Sequence, residues 1–232
     1  MCGFLVTNVR HFDIERATRF QRRRGPDNTN VVEIGNLTFV HHLLSITGQF
    51  TRQPFVHDGL ACVYNGEIYN SHALGEYPSD GTCILPQYAA DGPDAVRELD
   101  GEFALVIVDY ERGTILLSTD PFGTKPLHYS VSGSQFGVAS YASALSAIGF
   151  SVITRLPPNC SITIALKTGA ILKTSTVVDF STRQYKTSFD DWIAALAQRS
   201  ARGHGIAGKG FSSGFPADTT AARLPANSTG NG

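Results

Sequence analysis

Charge of one sign is what this sequence most conspicuously lacks. Its 19 Lys and Arg nearly balance 20 Asp and Glu, leaving a formal net charge of −1. So even a balance gives no field to attract nucleic acid or an anionic membrane, and neither is expected as a partner. The one basic cluster, Arg22-Arg23-Arg24, closes a helical pattern and reads as a solvated helix end. No stretch approaches the ~18 apolar residues of a membrane span, and the N-terminal residues lack a charged-then-apolar signal layout. The four cysteines, at 2, 62, 83 and 160, show no CxxC pairing and no disulfide-scaffold density. Their use suits a reducing cytoplasm. The seven histidines form no HExxH or related metal spacing, and His41-His42 in a strand would point to opposite faces. What is present is 42% hydrophobic against 17% charged residues, the balance of a well-buried globular core.

Along the first 180 or so residues the pattern is of short strands and tight turns. GFLVTN and NLTFVHHLLSI read as strands, and IERATRFQRRR as a helix that glycine and proline end at RGPD. Four hairpins are expected, in FVHDGLACVYNGEIYN, FALVIVDYERGTILLSTD, LHYSVSGSQFGVAS and CSITIALKTGAILKTS. The first turns at Asp58-Gly59 and the second near Arg112-Gly113. Helices are expected over 80–90, 93–99, 141–148 and 190–201. Hairpins interspersed with helices indicate an α+β fold. FALVIVDY is apolar on both faces, so its strand should be covered on both sides. Beyond the helix in SFDDWIAALAQRS the chain turns Gly-rich and polar, with no core-forming pattern in its last twenty or so residues, which are expected to be disordered. GHGIAG at Gly203–Gly208 fits both GxGxxG and, as GHGIAGKG, most of a phosphate loop. Neither context has the strand lead-in those motifs require.

Chemistry enters at the second residue. Removal of Met1 would make Cys2 the N-terminus, with an α-amine of pKa ~7.7–8.0 beside its own thiol. Such an amine can act as base for the thiol, directly or through a water, and a thiolate attacks amide carbonyls well. An oxyanion hole is then needed. In YNGEIYN, Asn65 offers a side-chain NH2 and Gly66 an unobstructed backbone N–H, although Asn-Gly is equally a turn former at a strand end.

MCGF, RRGPD, LLSI, YNGEIYN, SDG, LDGEFALVIVDYERG and DPFGTKPLHY occur in that order. Together they resemble the glutaminase domain of asparagine synthetase-like class II glutamine amidotransferases. The resemblance spans roughly the first 180 residues, and places a glutaminase domain at 1–185. It implies the four-layer αββα sandwich of the N-terminal nucleophile hydrolases. It implies Cys2 as nucleophile, Asn65 and Gly66 as oxyanion hole, Glu67 lining the glutamine pocket, and Asp80 holding the substrate α-ammonium, a residue that could also serve as a helix N-cap. Ile46 and Thr47 match backbone positions that touch the substrate. L-glutamine is the implied substrate. No cofactor is implied for this domain, ATP and Mg belonging to the synthetase domain of the relatives. RGPD and DPFGTKPL are expected to shape loops rather than do chemistry.

Two departures stand out. Leu43 occupies the place of the arginine that clamps the substrate α-carboxylate, and an apolar side chain cannot make that pair; Arg52 is a conceivable substitute. In FSSGFPADTT, Pro216 and Ala217 fall where an ATP-pyrophosphatase loop SGGxDS would carry its aspartate and second serine. Residues 186–232 therefore read as a helix plus a truncated remnant of a synthetase domain, and a synthetase domain or subunit in trans is a partner the resemblance allows. Three readings stay open: a glutaminase, an amidohydrolase for another amide (penicillin-like or acyl), and a non-catalytic fragment with a binding or structural role.

Overall fold

The computed structural model describes residues 2–46, 48–180, 190, 193–194 and 196–198. In chain order, β1 (Gly3–Thr7) leads to α1 (Ile14–Arg22) and the hairpin of β2 (Asn28–Ile34) and β3 (Leu37–Leu43). A second hairpin joins β4 (Phe55–His57) to β5 (Leu60–Ile68). There follow α2 (Ser71–Leu74), a 3-10 turn over Asp80–Cys83, α3 (Ile84–Asp91) and a second 3-10 stretch over Gly92–Glu98. The remaining elements are β6 (Gly101–Asp109), β7 (Thr114–Thr119), β8 (His128–Ser132), β9 (Gln135–Ala139), α4 (Ala142–Ala147), β10 (Thr154–Arg155), β11 (Cys160–Ala165) and β12 (Ile171–Thr176).

The strands form two six-stranded antiparallel sheets, ordered β10-β8-β9-β1-β3-β2 and β12-β11-β7-β6-β5-β4. Side-chain alternation explains how they stack. Phe4, Val6, Leu37 and Phe39 of the first sheet meet Ala61, Val63, Val106, Val108 and Leu117 of the second in one core between the sheets. The intervening residues face outward. Leu5, Val40 and Ala139 pack on Ala17 of α1 and Leu145 of α4. Cys62, Leu105 and Leu116 pack on Ile84, Leu85 and Tyr88 of α3 and on Val96. The result is helix, sheet, sheet, helix: the αββα sandwich. β6 is buried on both faces from Phe103 to Asp109, as its run of apolar residues requires.

The expected hairpins all form. Asp58 (φ 43°) and Gly59 (φ 74°) make the left-handed pair that a tight two-residue loop requires. Two strands were not anticipated, the two-residue β10 and the longer β2. β2 alternates half-buried and exposed residues in NTNVVEI and pairs along the whole of β3, but its polar Asn28, Thr29, Asn30 and Glu33 masked it. The helix expected over 80–90 divides into the 3-10 turn and α3, and that expected over 93–99 is 3-10 in geometry. The basic cluster divides as well. Arg22 and Arg23 are exposed, whereas Arg24 turns inward, donating to the Tyr141 hydroxyl at 3.1 Å with its guanidinium over that ring. Asp190, Ile193, Ala194 and 196–198 are helical and exposed. The rest of the helix expected over 190–201, GHGIAG and FSSGFPADTT lie outside the described residues.

Candidate active site

By the alternation that buries Phe4 and Val6 between the sheets, Cys2 also belongs to the inner face of its sheet. Asn65 likewise continues the inward series of Ala61 and Val63. Both lie where the sandwich opens. A cleft of about 500 Å3, open to solvent, is lined there by Cys2, Leu43, Ile46, Gln53, Asn65, Gly66, Glu67, Asp80 and Lys125, among others.

β4 explains why the cleft exists. It pairs with β5 only from Leu60 to Cys62, so the outer edge of β5 beyond Cys62 has no strand beside it. In an antiparallel strand, alternate N–H groups point to the same edge. The Tyr64 N–H donates to the Gln53 side-chain oxygen at 2.7 Å, and the Ile68 N–H to Asp80 Oδ2 at 2.8 Å. Gly66, midway between them, presents its N–H to that same uncovered edge. Glycine is required here for a second reason. A Cβ at Gly66 would stand 2.0 Å from the Glu102 carbonyl oxygen of β6.

Asn65 is fully buried, yet neither its Nδ2 nor its Oδ1 has a hydrogen-bond partner. An unpaired buried amide costs about 1–3 kcal/mol, so an unfilled role for it in the cleft is the natural physical explanation. The Cys2 thiol is buried, and burial raises its pKa above the ordinary value. The Leu44 N–H, donating to Sγ at 3.4 Å, acts in the opposite direction by favouring the thiolate. Gly3 has a packing reason, since a Cβ there would meet Gln21 Cβ of α1 at 2.9 Å. It gives room to that helix.

Asp80 is the first residue of its 3-10 turn, and Ser79 holds the N-cap position. The capping role considered for Asp80 is thus absent. Its Oδ2 instead accepts from the Tyr64 hydroxyl and the Ile68 N–H, both at 2.8 Å. Burial, and then the Asp80 charge, hold the Tyr64 hydroxyl well above its usual pKa, so it stays a donor. Among the described residues, no group of three or more His, Cys, Asp or Glu is placed to hold a metal ion.

The family model of the glutamine amidotransferase domain matches residues 1–155. The chain belongs to the glutamine amidotransferase domain family. Among its relatives is asparagine synthetase [glutamine-hydrolyzing] 1 of Saccharomyces cerevisiae, 33% identical over 179 residues that cover 68% of this chain and 31% of the yeast protein. Asparagine synthetase B [glutamine-hydrolyzing] of Escherichia coli is 35% identical over 142 residues, covering 55% of this chain and 26% of that protein. The chain therefore matches less than a third of the length of each of these two relatives. Among solved structures, the glutamine phosphoribosylpyrophosphate amidotransferase of Bacillus subtilis superposes with a TM-score of 0.61 at 17% identity, over 76% of this chain and 49% of that one. It shares the sandwich fold.

Of the residues this amidotransferase domain was expected to use, Cys2, Asn65, Gly66, Glu67, Asp80 and Ile46 all line the one cleft. Thr47 lies outside the described residues. Leu43 lines the cleft and is buried, whereas Arg52 is exposed and is not among the lining residues. Sequence reasoning missed three contributors. Gln53, 2% exposed, holds the uncovered edge of β5 through Tyr64. Asp27 of RGPD accepts the Ser45 N–H at 2.8 Å and steadies the loop that passes Cys2. Lys125 of DPFGTKPL reaches the cleft, ion-paired to Glu102 at 2.6 Å. The loop that carries it is held by buried Asp120, which accepts from the N–H groups of Phe103, Phe122 and Thr124. That motif does shape a loop, as expected, and the loop delivers a charge as well.

Proposed function

We propose that the chain hydrolyses the side-chain amide of glutamine, releasing ammonia, and that Cys2 freed of Met1 is the nucleophile. The observation that carries this reading is the buried, unpartnered amide of Asn65 in the same cleft as the Cys2 thiol and the open-edge N–H of Gly66. The α-amine of Cys2 takes the thiol proton as sulfur attacks the amide carbon. Asn65 Nδ2 and the Gly66 N–H receive the negative charge that develops on oxygen. The carbon–nitrogen bond breaks, the amine returns its proton to the leaving ammonia, and water then cleaves the thioester to give a carboxylate and the free thiol. Asp80 and Glu67 supply negative charge for an α-ammonium, and Ile46 borders the substrate. These steps need no cofactor.

The ammonia would serve an amidation by an asparagine synthetase-like domain or subunit, where ATP and Mg would be used. We assign 1–185 to the glutaminase unit on the extent of the motifs, and 186–232 to a helix plus a remnant of such a synthetase domain. A cytoplasmic setting is supported by four thiols that are all unpaired. The reading is tested by intact-mass analysis together with Cys2-dependent ammonia release from glutamine. Loss of Met1 and an adduct of 6-diazo-5-oxo-norleucine on Cys2, absent in Cys2→Ala, are expected. Retention of Met1 in the folded protein leaves Cys2 without a free amine and overturns it.

A further inference from the structure

The charges of the cleft favour one end of an amino acid and disfavour the other. Its lining includes two carboxylates, Glu67 and Asp80, both half-buried. Lys125 is the one cationic side chain among the lining residues. It is 5% exposed and its Nζ lies 2.6 Å from Glu102 Oε1, so its charge is already matched inside the protein. Where the resemblance places a carboxylate clamp stands Leu43, 7% exposed. A free α-carboxylate bound here would face two like charges and an apolar wall, with its hydration lost and no unmatched cation among the lining side chains to replace it. An α-ammonium meets the opposite situation.

The mouth of the cleft adds a second observation. Ile46 lines it and is 61% exposed, and Phe50, between the lining residues Gln49 and Thr51, is 53% exposed. Ile46, a large apolar side chain left open at the site, suits a ligand that continues outward past the reacting group.

We infer that the preferred substrate is a glutaminyl group whose α-amine is free and whose α-carboxyl is masked as an amide, the N-terminal glutamine of a peptide being the simplest case. This rests on the amidohydrolase mechanism above and narrows its substrate. The reaction is the same: the Cys2 sulfur bonds to the side-chain carbonyl carbon, ammonia leaves, and water restores the thiol. The product is an N-terminal glutamyl group.

The test compares L-glutamine with L-glutaminamide on the whole 232-residue chain after loss of Met1. The deamidated product is followed by mass spectrometry, with Cys2→Ala as the blank for spontaneous cyclisation. With no partner for the carboxylate of glutamine, kcat/KM for glutaminamide should exceed that for glutamine by about tenfold or more. Leu43→Arg should reverse the order by improving glutamine. Equal or faster turnover of glutamine by the unaltered chain overturns this inference and leaves the amidohydrolase standing. Turnover of neither compound overturns both.

Discussion

The two ends of β5 share one strand and one partner, β6, yet do opposite things. From Leu60 to Val63 every residue is buried in a satisfied core, paired with β6 throughout and with β4 as far as Cys62. From Tyr64 to Ile68 the pairing with β6 continues, but β4 has ended, and side chains of Gln53 and Asp80 take the N–H groups that a strand would have taken. The first end is built for stability. The second leaves a polar edge, a buried amide without a partner and room for a ligand. The proposed site lies where sheet pairing stops on one side only, because there the strand remains rigid while its backbone becomes available.

The largest effect expected from breaking this contrast is that of Gly66→Ala. A Cβ 2.0 Å from the Glu102 carbonyl must part β5 from β6. Loss of turnover below detection is expected, with destabilisation of about 2–4 kcal/mol in urea unfolding. Next come two residues on the same inward face. Asn65→Ala should cost about 10²–10³ in kcat while leaving stability unchanged or slightly raised, since an unpaired buried amide is removed. Val63→Ala should do the reverse, costing about 1–3 kcal/mol of stability through a cavity with the rate of Cys2 alkylation unaltered. If both variants lose stability equally, the division between the two ends is wrong.

Gln53→Leu tests the substitute for the missing strand. It strips the Tyr64 N–H of its acceptor, and a loss of about 1–3 kcal/mol is expected, with faster amide exchange at Tyr64 and not at Val63.

The smallest effect concerns β3, which passes the same cleft. Burial lowers the pKa of His41 to about 3 and of His42 to about 4, from the usual 6.5. Both are therefore neutral in the folded chain, whereas the unfolded chain binds their protons below about pH 6.5. Stability from this source is complete above pH 6.5 and falls as the pH drops toward 4 and then 3. His42→Gln, retaining a polar partner for Thr29, should shrink the stability difference between pH 7 and pH 5 by on the order of 1 kcal/mol. An unchanged difference would show that His42 is not held neutral.

Much of the architecture was legible because alternation and turn chemistry are local. Asp58-Gly59 announced its hairpin, and the apolar run of β6 announced a doubly covered strand. β2 was not legible, since Asn28, Asn30 and Glu33 break an apolar reading that only pairing with β3 resolves. At the site, Cys2 and the Asn65-Gly66 pair were identifiable from chemistry and motif order. Gln53 and Lys125 were not, because each acts through a contact with a residue 11 or 23 positions away, and nothing in its own neighbourhood marks it.

What the sequence by itself determined is the inventory: a thiol at position 2, an amide and a glycine on one strand, carboxylates at 67 and 80, and leucine at 43. Tertiary structure alone decided what those groups are worth together. It ended β4 three residues into its pairing with β5, so that one edge stayed open. It also matched Lys125 with Glu102 and so removed the cation a substrate carboxylate would need. Composition counts charges, but only packing decides which of them are already neutralised before a ligand arrives, because that depends on distance and on the water excluded around each pair.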